Sequence, residues 1–335
     1  MKKIINDAKN YVEDFANGIV NAHSDKIKFL NDDFRIIVRN NNPKKDKVGI
    51  VTAGGSGHLP LFLGYVGEGM IDGCAIGNVF ASPSSSKMEE MIKACDFGKG
   101  VLCLYGNYGG DNMNFEMATE MVEFDDIETM QLRGKDDIAS ARFEKKDTRR
   151  GVAGIVYAYK IAGAAADLGY DLKEVYSITK KAMDNIRTIG FALTPCIVPE
   201  VGEPTFNINQ DEIEVGMGIH GEAGIEVKEM MTAKEIAEFA LSKIEEEISL
   251  NSKDKVSVMI NGLGSTPLEE QYILYNEVYK IISSKGVSIV MPHIGEFATS
   301  MEMAGVSITI FKLDELTEKL LKSVAKTPFY TNFNK

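Results

Sequence analysis

The sequence has few cysteines, no long hydrophobic run and no apolar leader. No window of its 335 residues approaches the roughly 18 apolar positions of a membrane-spanning helix. The N-terminal stretch MKKIINDAKNYVEDF lacks the apolar core that a signal peptide requires. The four cysteines form no CxxC pair, and no cluster of histidine, cysteine and carboxylate has zinc-ligand spacing. These absences predict a cytoplasmic protein with buried, reduced thiols and no structural zinc.

Basic residues are outnumbered by acidic ones. The chain has 37 Lys and Arg against 49 Asp and Glu, which gives a net charge of −12. A negative surface repels nucleic acid and anionic membranes, and no basic cluster is large enough to reverse this locally. We therefore expect neither as a partner. The charged run KKDTRR (145–150) is more typical of a solvated loop than of a phosphate site.

Short apolar, β-branched runs alternate with helical patterns along the chain. The predicted strands are FRIIVRN (34–40), KVGIVTAG (47–54), GCAIGNVFA (73–81), GVLCLYGN (100–107), KVSVMING (255–262), VSIVMP (287–292) and VSITIFKL (306–313). The predicted helices are residues 84–97, with a capping box at Ser86 and Glu89, 114–124, 151–169 and 266–286. This alternation predicts an α/β fold.

The pattern indicates two α/β domains with mixed sheets. Prolines and glycines interrupt the periodicity near residues 194–206, so we predict domains at 1–193 and 194–335. Three glycine-rich loops follow predicted strands: GGSGH (54–58), GNYGGDNMNF (106–115) and GMGIHG (216–221). Ligands of open α/β sheets bind beyond the carboxyl ends of strands, so we expect these loops to line a substrate cleft between the domains.

The loops carry no nucleotide-binding or hydrolase signature. The sequence lacks G-x-x-x-x-G-K-[ST], a strand-linked G-x-G-x-x-G, the protein-kinase motifs and G-x-S-x-G. Two imidazoles, His58 and His220, and one carboxylate, Asp111, remain as reactive groups. A histidine ring nitrogen can add to an electrophilic carbonyl, and Asp111 can accept a proton from a hydroxyl. Alternatively, Asp111 is the N-cap of the helix that begins at Asn114.

Nine blocks, in order along nearly the full length, resemble one family. They are GGSGHLP (54–60), GYVGEGM (64–70), VFASPS (79–84), NYGGDNMNF (107–115), DDIAS (136–140), RRGVAG (149–154), KIAGAAA (160–166), EVGMGIHGEAG (214–224) and INGLGSTPLEE (260–270). The chain resembles the substrate-binding subunit of bacterial dihydroxyacetone kinase, the DhaK family, of the type that takes phosphate from a multiprotein relay.

The resemblance implies a role for each candidate residue. The covalent histidine of the family falls on His220, which adds to the ketone carbon and holds the substrate as a hemiaminal. A second histidine that hydrogen-bonds the substrate falls on His58, and the general base falls on Asp111. The backbone of the first loop would also contact the substrate, at Gly54, Gly55, Ser56 and Gly57. Glycerol, which has no carbonyl, cannot form such an adduct.

The resemblance also implies partners. The chain ends at TPFYTNFNK without the helical nucleotide-binding domain of the fused kinases, so we expect no cofactor on this chain. Magnesium with ADP or ATP is expected on a separate nucleotide-bearing subunit of the DhaL type. That subunit would be recharged by a relay subunit of the DhaM type, and a homodimer is expected.

Two departures leave the substrate and the role open. Leu59 stands where the family has glutamate, and residues 130–150 are longer and more charged than in the best-known members. This segment resembles a sub-branch that prefers four-carbon ketoses such as erythrulose. Alternatives are a dihydroxyacetone-sensing coactivator of a transcription regulator and an inactive carbohydrate-binding module. A coactivator needs the equivalent of His220 but no base, so the retained Asp111 favours the kinase.

Overall fold

The structure, a computed structural model, describes residues 2–41 and 46–333. Contacts divide the chain into two compact units. The first unit lies within Met1–Gly134, Val156–Lys181 and Lys319–Lys335, and the second comprises Lys135–Ile155 and Ala182–Glu318. Each unit has its own sheet and is described by itself.

The first unit contains a six-stranded mixed sheet. Its strands are β1 (Ile27–Leu30), β2 (Asp33–Arg39), β3 (Lys47–Ser56), β4 (Gly73–Val79), β5 (Gly98–Gly106) and β6 (Thr129–Gly134), in the order β1-β2-β4-β3-β5-β6. The accompanying helices are α1 (Tyr11–Ala22), α2 (Ser85–Ala94), α3 (Gly109–Glu123), α4 (Ile155–Asp167) and α5 (Leu172–Met183). Methionines and an isoleucine of α2 and three apolar residues of α3 pack with this sheet in one buried cluster, whereas the three methionines of α3 are exposed.

Strand β3 is the centre of the parallel part of this sheet. It pairs in parallel with β4 on one side and β5 on the other, and β5 pairs in parallel with β6. Nearly all of β3 is buried, as is typical of a parallel strand covered on both faces. The chain leaves β3 towards β4 and leaves β5 towards β6, so the two connections diverge. Such a switch point is where open α/β sheets bind ligands.

The second unit contains a seven-stranded mixed sheet. Its elements are β7 (Ile186–Ala192), β8 (Glu212–Val215), β9 (Glu226–Glu229), α6 (Ala233–Glu245), β10 (Lys255–Gly262), α7 (Leu268–Ser284), β11 (Ser288–Ile289), β12 (His293–Gly295) and β13 (Gly305–Leu313). The order is β11-β10-β13-β7-β8-β9, and β12 also pairs with β10. Helix α8 (Glu315–Lys322) and the short pair β14 (Ala325–Lys326) and β15 (Thr331–Asn332) follow. The predicted α/β class with mixed sheets is confirmed.

The division into units differs from the single boundary predicted at residue 193. Strand β7 lies before that position, yet it pairs along its whole length with β13 in the second sheet. The chain after α8 returns to the first unit, where the backbones of Glu68 and Lys326 exchange two hydrogen bonds. The division between the two units is set by long-range strand pairing, which the spacing of proline and glycine along the chain does not predict.

Local signals were also misread in three places. Helix α3 begins at Gly109, five residues before the predicted start. Helix α2 has Ser84 at its N-cap and no side-chain capping hydrogen bond, so the predicted capping box at Ser86 is wrong. The run 145–150 is not wholly solvated, because Arg149 is buried and its Nη1 donates to Glu247 Oε2 at 2.8 Å.

Two predictions from absences can be compared with the structure. All four cysteines are buried free thiols, and burial raises the pKa of Cys74, Cys95 and Cys103. Across residues 2–41 and 46–333, every helix is too short or too polar to cross a membrane.

Candidate active site

The loop after β3 holds His58 against aromatic rings. The His58 ring is 1% exposed, stacks on Phe80 with the ring centroids 4.9 Å apart, and meets the edge of Phe62 at 6.1 Å. Ser56 Oγ donates to the Gly77 carbonyl at 2.7 Å, and the Phe80 N–H donates to the Ser56 carbonyl at 3.0 Å. Packing and two hydrogen bonds therefore tie this loop to the end of β4.

The glycines of this loop are required by the protein itself. A Cβ at Gly54 would overlap the ring of Phe62, and a Cβ at Gly55 would lie 2.7 Å from the Ala81 nitrogen. Gly57 has a φ of +102°, which side-chain-bearing residues rarely adopt. Close packing thus accounts for glycine at these positions without a ligand.

Asp111 is the third residue of α3. Its side chain lies in the first helical turn and the residue is 5% exposed. The N-cap position is occupied by Tyr108, so the N-cap interpretation of Asp111 is wrong. The partial positive charge of a helix N-terminus favours the ionised carboxylate there. An ionised Asp111 at this position can accept a proton.

The loops that carry His58 and Asp111 lie at the switch point of the first sheet. They leave the carboxyl ends of β3 and β5, which are adjacent parallel strands with diverging connections. The β4 connection also approaches, because Asn114 Nδ2 donates to the Pro83 carbonyl at 2.7 Å. The expectation that these two loops follow parallel strand ends is confirmed.

His220 lies in a different setting, in the second unit. Its loop joins β8 to β9, which form an antiparallel pair, so it is a hairpin connection rather than a strand-to-helix turn. The His220 side chain is 22% exposed and its Nδ1 lies 2.8 Å from Glu222 Oε1. The His220 backbone N–H also donates to Glu222 Oε2. Both contacts come from the residue two positions along the chain.

The hydrogen bond between His220 Nδ1 and Glu222 determines which nitrogen of the imidazole carries the proton. A carboxylate only accepts hydrogen bonds, so in the neutral imidazole Nδ1 carries the proton and Nε2 carries the lone pair. Burial opposes ionisation of Glu222, but the hydrogen bond from His220 and the positive charge of Arg150 favour the anion, and the net effect lowers the Glu222 pKa. Glu222 is thus an anion at neutral pH, which leaves Nε2 as the ring nitrogen that carries the lone pair.

Sequence reasoning missed two residues of the His220 loop. Glu222 was visible as a carboxylate two positions after His220, but its hydrogen bond was not predicted. Arg150 belonged to a run interpreted as solvated, yet its Nε donates to Asp137 Oδ2 at 2.9 Å and its Nη2 to the Gly216 carbonyl at 2.9 Å. The signal that could have identified Arg150 is its place in RRGVAG (149–154), one of the nine blocks that carry the family resemblance.

The remaining two histidines have other environments. His293 begins β12, is 8% exposed, and burial lowers its pKa to about 4. His23 ends α1 and its ring centroid lies 5.8 Å from that of Phe329. Neither stands in a glycine-rich loop beside a strand end at the switch point.

Comparison with known proteins establishes the family. The Dak1 domain model matches residues 17–329. The chain belongs to the Dak1-domain family. A relative within it is the PTS-dependent dihydroxyacetone kinase 1, dihydroxyacetone-binding subunit DhaK, of Listeria innocua, with 44% identity over 94% of this chain and 95% of the relative. The L-erythrulose kinase of Pectobacterium atrosepticum is 37% identical over 98% of this chain, which spans 56% of that protein.

Solved structures of the Dak1 type agree with the fold. The native dihydroxyacetone kinase of C. freundii matches with a TM-score of 0.90 at 29% identity, over 99% of this chain and 60% of that one. The dihydroxyacetone kinase operon co-activator Dha-DhaQ matches with a TM-score of 0.89 at 29% identity, over 96% and 98%. The family resemblance seen in the sequence is therefore confirmed.

Proposed function

We propose that this chain is the ketose-binding subunit of a dihydroxyacetone kinase, an alcohol-accepting phosphotransferase, and that it captures its substrate on His220. The observation that carries the proposal is the His220–Glu222 pair, which leaves the nucleophilic lone pair on Nε2. Membership of a family whose relative is named a dihydroxyacetone-binding subunit supports the substrate class.

The capture step balances with the groups in the loop. Nε2 forms a bond to the ketone carbon while the carbonyl π electrons move to oxygen, and the resulting alkoxide takes a proton from a water molecule. The hydroxide so formed is neutralised by the proton that leaves Nδ1 through Glu222. The proton on Nδ1 leaves towards Glu222, the carboxylate that already accepts its hydrogen bond. The product is a neutral hemiaminal. Because glycerol has no carbonyl, this chemistry selects a ketose over a polyol of the same size.

His58 and Asp111 take the other two roles. Asp111 accepts the proton of the terminal hydroxyl as that oxygen attacks phosphorus, and its place in the first turn of α3 puts the partial positive charge of the helix N-terminus beside the carboxylate. His58 donates a hydrogen bond to the substrate from a ring fixed by two phenylalanines. The backbone from Gly54 to Gly57 lies beside it and supplies further contacts.

Phosphate comes from another polypeptide in this proposal. Magnesium with ADP or ATP is held by a DhaL-type subunit, which a DhaM-type relay subunit recharges. The chain acts in the cytoplasm as a homodimer. These assignments follow from the resemblance and from the relative's name as a PTS-dependent subunit.

Intact-protein mass spectrometry tests the capture. The chain is soaked with dihydroxyacetone or erythrulose and desalted rapidly without borohydride. A ketose-sized mass gain is expected for the native chain and for His23→Ala, and none for His220→Ala. Competition between the two sugars identifies the preferred ketose. No gain with either sugar would contradict the proposal.

A second candidate is a ligand-sensing coactivator, favoured by the close structural match to the co-activator Dha-DhaQ. Asp111→Asn separates the two functions, because capture needs His220 while phosphorylation needs the base. With a DhaL-type subunit and the DhaM-type relay that recharges it, the kinase proposal expects the native chain to yield ketose phosphate and Asp111→Asn to retain capture but lose turnover by at least about 100-fold. Capture without phosphorylation in the native chain would favour the coactivator.

A further inference from the structure

Arg150 contacts the His220 loop from the segment that was interpreted as solvated. Its Nη2 donates to the Gly216 carbonyl at 2.9 Å, which fixes the start of the loop. Its Nη1 lies 3.8 Å from Glu222 Oε2, the carboxylate that holds the imidazole. The Arg150 side chain is 13% exposed and the Glu222 side chain is 36% exposed, so solvent screens their ion pair only in part. One guanidinium therefore touches both the backbone and the carboxylate that orient His220.

The guanidinium is itself held in place. Asp137 Oδ2 accepts from Arg150 Nε at 2.9 Å, and Asp137 Oδ1 accepts from the Ala139 N–H at 3.1 Å. The Arg150 N–H donates to Ser140 Oγ at 3.0 Å. The Asp137 side chain is 3% exposed. Both ends of the arginine are thus anchored in the segment 137–140, before it reaches the loop.

The loop backbone leaves room for this arrangement at one residue. A Cβ on Gly218 would overlap both the Glu222 carboxylate and Arg150 Nη1. The Gly218 N–H donates to the Glu222 carbonyl at 3.0 Å, which closes the turn around His220. Glycine at 218 is therefore explained by the approach of these two side chains.

We propose that Arg150 is a positioning residue that, anchored by Asp137, fixes Glu222 and the 216–222 backbone so that His220 keeps its proton on Nδ1 and its lone pair on Nε2. The three directions of contact use the planar fork of arginine, which a lysine ammonium cannot reproduce. For ketose capture this inference rests on the proposed function. For the tautomer of the ligand-free chain it stands independently.

The test measures the tautomer and the capture separately. Long-range ¹H–¹⁵N spectra of the ligand-free chain report which ring nitrogen of His220 is protonated, and the spectrum of His220→Ala assigns the signals. Native chain, Arg150→Gln and Arg150→Lys are compared with Arg142→Gln, which removes an exposed arginine eight residues away. Signals of His23 and His293 report whether each variant is folded.

The native chain and Arg142→Gln should show the Nδ1–H tautomer. Arg150→Gln should show a mixture, and its hemiaminal occupancy at limiting ketose should fall about tenfold, the loss typical of one charge-assisted hydrogen bond. Arg150→Lys should recover part of both losses. If Arg150→Gln does not fold, Arg150→Lys provides the same two readings with a smaller change.

Three outcomes would overturn the inference. An Nδ1–H tautomer and capture equal to those of the native chain in both Arg150 variants would show that Glu222 needs no support. Lost capture with an unchanged tautomer would make Arg150 a substrate contact instead of a positioning residue. If His220 of the native chain does not carry its proton on Nδ1, the tautomer that Arg150 is inferred to maintain does not exist. A native chain that shows the tautomer but captures no ketose contradicts only the proposed function.

Discussion

The two imidazoles proposed to act on the substrate are held by opposite means. His58, in the first unit, is 1% exposed and packed between Phe80 and Phe62 above glycines that admit no side chain. His220, in the second unit, is partly exposed and held by Glu222, with Arg150 behind that carboxylate. Packing fixes where a ring lies, whereas a hydrogen bond to a carboxylate also fixes which nitrogen carries the proton. His220, as the proposed nucleophile, needs a contact that fixes which ring nitrogen carries the proton.

The largest change in the free energy of unfolding should come from the buried charged cluster next to Arg150. Glu247 accepts from Arg149 Nη1 at 2.8 Å and from Arg187 Nε at 2.7 Å, and its side chain is 10% exposed. Glu247→Gln leaves two guanidiniums without their anion, so the free energy of unfolding should fall by about 3–5 kcal/mol. Urea denaturation measures it.

The neighbouring residue provides the control. Glu246 pairs with Lys243 on the surface with a side chain 59% exposed. Glu246→Gln should change the free energy of unfolding by less than about 0.5 kcal/mol. Equal losses in the two variants would mean that the buried cluster does not support the segment that carries Arg150.

A third imidazole, that of His293, should make the free energy of unfolding depend on pH in the acid range. The pKa of His293 is lowered by burial to about 4 from 6.5, so its contribution to stability is complete above pH 6.5 and is lost as pH falls towards 4. Between pH 7 and pH 4 the native chain should lose about 3 kcal/mol more than His293→Gln. Parallel pH profiles of the two proteins would refute this.

An added methyl group in the loop that carries His58 should destabilise the protein. A Cβ at Gly55 would meet the backbone of Phe80 and Ala81, which cannot move aside. Gly55→Ala should therefore lower the free energy of unfolding by about 1–3 kcal/mol. Gly18→Ala, in α1 with no atom within 4 Å of the new Cβ, should instead raise it by up to about 1 kcal/mol. Thermal and urea unfolding distinguish the two signs.

The loop that carries His220 should accommodate an added Cβ better than the loop that carries His58. A Cβ at Gly218 meets the ends of two side chains, and the partly exposed Glu222 carboxylate can shift while Arg150 stays anchored, so Gly218→Ala should lower the free energy of unfolding by less than about 1 kcal/mol. The shift of Glu222 should nevertheless alter the tautomer of His220 in ¹H–¹⁵N spectra. A destabilisation as large as that of Gly55→Ala, with an unchanged tautomer, would erase the contrast between the loops.

Much of the secondary structure could be predicted. KVSVMING was predicted as a strand at the bounds of β10, and α7 lies within two residues of its predicted ends at both sides. These elements are buried on a regular face, and apolar periodicity reports that burial directly. The predicted strand 287–292 contains only the two-residue β11, and β12 was not predicted, because the pairing of both short strands with β10 depends on a separate segment.

The candidate site was predictable only in part. His58, Asp111 and His220 were found because they stand in glycine-rich loops after apolar runs. Arg150 was missed because its contact to Gly216 spans 66 positions and no local pattern encodes it. The N-cap interpretation of Asp111 was wrong because glycines at 109 and 110, which disfavour helix on propensity, lie inside α3.

The sequence by itself determined the α/β class, seven of the fifteen strands and four of the eight α-helices in residues 2–41 and 46–333, the three loops and the family resemblance, because local periodicity or contiguous motifs encode each of them. The tertiary structure decided which strands pair, and so moved β7 into the second unit. It also decided how each imidazole is held. Those outcomes depend on groups far apart in the chain, whose packing and charge balance are fixed only when the fold brings them within hydrogen-bonding distance.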